Sequence, residues 1–212
     1  GSVTLYTNDT QLSFLKRFDF PYEYNTSILH NDTADVFAIT KLKAMASQTE
    51  NFIHFDLDSY VLDKPNLEKV KTPFLFSHND IAFFTKNVKD ITNLEEIIGS
   101  VHFNDIYQTY LKFYLNNLKL LGEEYPHKFI KLNEIPNMSL IYVKDVEKFK
   151  YAITKSLEVY EKIKKDIDSE WIGSAFIKQF TIPLYLKQIS TEYKNNIDDS
   201  TLFKNSHIQL QD

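Results

Sequence analysis

Apolar positions along this chain recur with two periods, two residues in some stretches and three to four in others. Val3, Leu5 and their neighbours Thr4, Tyr6 and Thr7 make a short β-type run that ends at the turn-forming pair Asn8-Asp9. Residues 10–18 take helical spacing, with Asp9 or Thr10 placed to cap them. Pro21 opens an extended stretch over 22–29. Asp32-Thr33 opens a helix in which Val36, Ile39, Leu42 and Ala46 fall on one side. Phe52, Ile53, His54 and Phe55 form an apolar strand with charge only at its far end. Residues 67–70 read as a helical turn, and Phe74, Leu75 and Phe76 as a buried strand. A Tyr, Phe and Leu stripe over 105–121 predicts an amphipathic helix given to core packing, stopped by Gly122. Strand character returns over 139–143, and Asp145 caps a helix reaching Lys165. After a break over 166–173, a last helix runs over 174–187, bent or ended early by Pro183.

Strands and helices in this order predict an α/β fold, a central sheet flanked by helices on both faces. Ligands on such sheets sit at the carboxyl ends of the strands. One domain over 3–212 is expected, with Gly1-Ser2 read as a cloning remnant outside it. The net charge of -5 argues against duplex nucleic acid as a partner. No apolar run approaches the ~18 residues of a membrane span, so none is expected, and the lack of cysteine fits a reducing cytosol, so a cytoplasmic place is expected. Cysteine is absent, which removes disulfides, thiolate metal sites and a cysteine nucleophile. Only 4 glycines are present, too few and too scattered for a glycine-rich phosphate cradle. A bound phosphate would need a metal, a lysine or helix N-termini instead.

Asp56-Leu57-Asp58 stands out against that background. In one continuous strand over 52–62, alternation puts both carboxylates on the same face. Two hard oxygen donors just past an apolar strand suit Mg2+ or Mn2+, and such an ion can stabilise a diphosphate leaving group. Apolar residues on both sides, Phe52 to Phe55 and then Tyr60, Val61 and Leu62, separate the pair from an ordinary solvated loop. His78-Asn79-Asp80 is a second local pair with ligand-like spacing, equally readable as pocket lining or as a turn. The same D-x-D letters fit a haloacid-dehalogenase-like phosphohydrolase with Asp56 as nucleophile. In that family, however, the motif lies on the first strand, whereas two strands precede it here.

With these residues in place, the chain resembles glycosyltransferases of the GT-A fold. Residues 3–8 look like the first nucleotide-binding strand, and 40–46 like the helix before the D-x-D strand. Residues 52–62 look like that strand itself. Pro136, Asn137 and the strand that follows look like the one lining the sugar pocket. The chain is also similar to the first catalytic domain of multidomain chlorella-virus glycosyltransferases, which implies a viral origin and further domains on a longer polypeptide. The resemblance implies a Rossmann-like mixed sheet and transfer of a hexosyl unit. The donor would be a nucleotide-diphosphate sugar, a UDP-sugar, and the acceptor a glycan or other hydroxyl, with Mn2+ or Mg2+ as cofactor.

The resemblance also implies roles for particular residues. Tyr6, Thr7 and Asn8 meet the base and ribose, and Lys41 meets a phosphate. Asp56 and Asp58 hold the metal, with Asp56 also free to bind ribose or sugar hydroxyls, and His207 is the third ligand. Asn137, His78 and Asp80 line the sugar pocket, while Trp171 stacks on a sugar ring. Asp168 or Glu170 serves as the base if configuration inverts. Gln179 is placed at the donor or acceptor, although Lys178-Gln179 stands where related sequences carry Glu-Gln. A domain of this shape that binds nucleotide or glycan without turnover is the remaining reading.

Overall fold

The computed structural model describes residues 3–29, 37–56, 59–61, 67–70, 72–76, 136–167, 173–174, 176–189 and 207–209. β1 (Thr4–Tyr6) and β2 (Glu23–Asn25) pair in parallel, joined by α1 (Asp9–Leu15) and a 3-10 turn over Lys16–Phe18. The cap of α1 is Asn8, not Asp9 or Thr10. Its Oδ1 accepts from Gln11 N at 2.8 Å and so satisfies one of the orphan N–H groups. Asp9 moves into the first turn, where its charge suits the helix dipole. The extended stretch expected over 22–29 is only three residues long in β2. Asn25 Oδ1 accepts from Ser27 N at 3.0 Å and turns the chain out of the strand.

The central sheet has the order β3 (Phe52–Phe55), β6 (Leu140–Val143), β5 (Phe74–Phe76). β6 is antiparallel to both neighbours, so β3 and β5 run the same way. The register sorts the side chains onto two faces. Phe52, Val143 and Phe74 form one row, and His54, Ile141 and Phe76 the next, all on one face. Ile53, Tyr142 and Leu75 lie on the other.

Among the described residues, three helical elements cover the first face. α2 (Phe37–Ala46) turns Ala38, Ile39, Leu42 and Met45 inward, the i, i+3/i+4 stripe of a helix on a sheet. α3 (Val146–Ile163) begins at Asp145, whose Oδ1 accepts from Lys148 N at 3.1 Å, and packs against α2. Its Phe149 is fully buried, with ring centroids 6.1 Å from Phe52 and 5.8 Å from Phe74. The last helical segment is a π turn over Phe176–Thr181 followed by α4 (Ile182–Ile189), both against α3. The π turn answers Pro183. Proline has no N–H to donate, and its ring collides with the carbonyl four residues earlier, so the helix widens by one residue just before it.

Helices on both faces were expected. Among the described residues, α2, α3 and α4 share one face. The other is covered by Val70 and Leu67, the latter from the 3-10 turn Leu67–Lys69. The structure is a mix of helices with small parallel and antiparallel sheets. The expected single strand over 52–62 is interrupted. After β3 the chain makes one more bond to β6, Asp56 N to Ser139 O at 2.7 Å. There β6 runs out, because Asn137 Oδ1 accepts from Ser139 N at 2.7 Å and folds the chain into a turn. β4 (Ser59–Val61) therefore takes a new partner, β7 (His207–Gln209), in antiparallel register. The helix expected over 105–121 lies outside the described residues, as do Asp32, Thr33 and Val36.

Candidate functional site

Asp56 is the first residue beyond β3, at the carboxyl end of that strand. Alternation keeps it on the helix-covered face with Phe52 and His54. Among the described residues, two side chains meet its Oδ1. His54 Nε2 lies 3.0 Å away, two residues back on the same face of the strand. Lys41 Nζ, from α2, forms an ion pair with the same oxygen. The lysine side chain is 11% exposed and that of Asp56 29% exposed, so the pair sits at the mouth of the site under partial cover.

The electrostatics follow from this packing. Burial works to raise the Asp56 pKa, but the His54 hydrogen bond and the Lys41 charge outweigh it and hold the carboxyl at about 2. Asp56 is thus ionised throughout the neutral range. Burial pushes the His54 imidazole below its ordinary value. The bond to Asp56 opposes this, and the charges of Lys41 and Lys178 reinforce it. A neutral imidazole whose Nε2 carries the proton donates to Asp56 and fixes the carboxylate's orientation. The π turn sets Lys178 close enough for its charge to act on His54.

α2 links this cluster to the first sheet. Gln48, just past the helix, donates from Nε2 to the Tyr6 hydroxyl at 2.8 Å. Lys41 lies on α2, and Gln48 stands two residues beyond its last residue, Ala46. One helix thereby ties the end of β1 to the end of β3. Around Tyr6 the neighbouring residues are structurally engaged. Thr7 is buried, with its N–H bonded to Asn25 O at 3.1 Å, and the Asn8 carboxamide caps α1. At the other border, Asn137 uses its Oδ1 in the turn to Ser139, whose carbonyl receives Asp56 N. That places Asn137 at the same sheet end as Asp56. Gln179 lies partly buried on the π turn next to Lys178.

Of the remaining candidates, His207 is placed by its backbone. It pairs with Val61, three residues past Asp58, so the β4–β7 ladder carries it to the strand that follows the D-x-D. Asp58, His78, Asp80, Asp168, Glu170 and Trp171 lie outside the described residues. Among the described residues no group of three or more acidic, histidine or cysteine side chains gathers into a metal cluster. Sequence reasoning passed over His54 as part of an apolar flank. Its signal was present, since a residue two positions before a strand-end acid shares that acid's face.

A separate cleft of about 510 Å3 lies between Thr49, Asn51, Pro73 and the start of α3 at Lys144 to Glu147. It opens at the opposite end of β3 from Asp56 and contains none of the candidate ligands. No helix among the described residues is long and apolar enough to cross a membrane. Compared with known proteins, the chain matches no family model, no curated protein and no solved structure.

Proposed function

We propose that this protein is a metal-dependent glycosyltransferase that moves a sugar from a nucleotide-diphosphate donor, a UDP-sugar, to a hydroxyl acceptor such as a glycan. The GT-A resemblance of the sequence is part of that reading. The observation that carries it is the ionised Asp56 at the carboxyl end of β3, with Lys41 beside it and α2 tying both to Tyr6 at the end of β1. Ligands of α/β sheets gather at such strand ends. The segment from Lys41, beside Asp56, to Gln48, bonded to Tyr6, suits a ligand with phosphates at one end and a flat base at the other.

The donor chemistry fits Mn2+ or Mg2+. Asp56 is a hard anionic oxygen donor, Asp58 is a second, and the β4–β7 register brings the His207 backbone to the strand after them. Asp56 Oδ1 already faces Lys41 and His54, so Asp58 and His207 carry the larger share of ligation in this reading. The ion would neutralise the diphosphate as it leaves. Lys41 and Lys178 add cationic charge to the same end, and His54 holds the Asp56 carboxylate in place.

Calorimetric titration of UDP tests the proposal. UDP is expected to bind about tenfold or more tightly with Mn2+ than without it, a coupling within the usual range for two linked ligands. Asp58→Ala is expected to abolish that difference. UDP binding that is absent, or indifferent to both Mn2+ and Asp58→Ala, overturns it. The phosphohydrolase reading also needs an ionised Asp56. It takes over if beryllofluoride binds the wild type and not Asp56→Asn while UDP does not bind.

A further inference from the structure

We propose that the β1–α1–β2 unit carries a homodimer interface, a row of four exposed aromatic rings that a second copy of this chain covers. The row is built by Phe14 on α1, Phe18 at the end of the 3-10 turn, and Phe20 and Tyr22 just before β2. Successive ring centroids lie 5.1, 5.7 and 5.7 Å apart, the first pair edge to face and the other two stacked. Two backbone features gather the rings. Asp19 takes a left-handed conformation (φ 47°) that turns the chain out of the 3-10 helix. Tyr22 N then donates to Phe20 O at 2.8 Å, a tight turn around Pro21. The Arg17 guanidinium closes one end of the row, 5.9 Å from the centre of the Phe14 ring. At the other end Val3, also exposed, is held beside Tyr22 because Val3 O accepts from Glu23 N at 3.0 Å.

α1 and the 3-10 turn bury no residue of their own. A helix of 7 residues draws its stability from packing an apolar face, so this one lacks cover. The four rings are 38% to 55% exposed. At roughly 200 Å2 for each aromatic side chain, they leave about 400 Å2 of contiguous apolar surface. A stable dimer buries about 800 Å2 on each partner, roughly two-thirds of it apolar. The row and Val3 therefore supply most of an apolar interface core. Charge decides between occupants. Residues 9–23 set Lys16 and Arg17 against Asp9, Asp19 and Glu23, in a chain of net charge -5. Anionic lipid and phosphate backbones are drawn to a basic footprint, which this segment lacks. A second copy needs none. Two-fold pairing lays the row against itself, apolar surface on apolar surface, and closes at two copies. Rings already packed on one another lose little freedom when covered.

Sedimentation velocity of the 212-residue chain tests the pairing without nucleotide or metal, so its outcome is independent of the proposed function. The wild type is expected to pass from monomer to dimer as its concentration rises through roughly the micromolar range. Phe18→Ser combined with Phe20→Ser is expected to raise the dimer Kd about a hundredfold or more, the loss of two central anchors. Phe20→Lys, a single change at an exposed position, sets a cation in the row of each copy and is expected to raise it at least about tenfold. Matching urea midpoints for dilute wild type and Phe20→Lys separate lost pairing from lost folding. Tyr151→Ser removes an exposed ring from α3 instead and is expected to leave the Kd unchanged. A wild type that stays monomeric up to about 1 mM overturns the proposal. A dimer that Phe20→Lys and the double variant leave equally tight overturns it too. Pelleting of a monomeric wild type with phosphatidylserine vesicles, lost in the double variant, overturns it and gives the row to a lipid surface.

Discussion

Replacing Phe149 with alanine is expected to cost about 3–5 kcal/mol of folding stability, the usual loss for a large aromatic deleted from a packed core. Phe149 is 0% exposed and lies where α3 meets the central sheet, against Phe52 of β3 and Phe74 of β5. These three rings bridge two strands and the helix, and β6 runs between the two strands. Removing the middle ring opens a cavity that backbone on both sides resists filling. A single domain is stable by roughly 5–15 kcal/mol, so this one change removes a large share. Urea unfolding measures it, with Tyr151→Ala as the control. Tyr151 lies two residues along the same helix but is 43% exposed, and its loss is expected to stay within about 0.5 kcal/mol. Equal losses in the two variants would contradict the packing described here.

Asp56→Asn is expected to lower stability at pH 7 by roughly 2 kcal/mol and to flatten the acid limb of the wild type. The folded protein holds the Asp56 carboxyl at about 2, against 3.8 in an unperturbed chain. The unfolded state therefore takes up this proton first. The stabilisation is complete above about pH 4 and is lost as pH falls toward 2, through the folded value. His54 acts in the same direction at higher pH. Its folded pKa lies below 6.5, so the unfolded chain gains that proton first and stability declines as pH falls below 6.5. Urea midpoints for both proteins between pH 7 and pH 2.5 separate the contributions. A variant whose stability falls between pH 4 and pH 2.5 as steeply as the wild type would refute the Lys41–Asp56–His54 cluster.

Both predictions rest on features of unequal legibility in the sequence. Phe74, Leu75 and Phe76, and the strand ending in Val143, are visible because buried strands are continuous apolar runs. α3 is visible because its apolar positions keep helical spacing and Asp145 can cap it. The choice of Asn8 over Asp9 as cap is decided by one hydrogen bond to Gln11, below the resolution of a pattern. The interruption of the strand at Asp56 is a non-local effect. It happens because the partner strand β6 ends at an Asn137 turn some eighty positions away, and no local propensity over 52–62 registers that. The ion pair between Lys41 and Asp56 is equally hidden. Lysine on a helix is solvated by default, and only packing of α2 over the sheet brings it to the strand end. The GT-A resemblance sets Lys41 opposite a phosphate, and the folded chain brings it against the Asp56 carboxylate.

In the proposed function, the metal and diphosphate bind at the end of β3 beside Asp56 and not in the cleft at the far end of the sheet. Paramagnetic broadening of backbone amide signals by substoichiometric Mn2+ in the presence of UDP tests it most directly. The signals of Phe55, Asp56, Ser59 and Ile208 are expected to be lost selectively, with those of Asn51, Lys144 and Glu147 around the far cleft retained. Broadening centred on the far cleft, or an even loss of signals over the whole protein, would overturn the proposal.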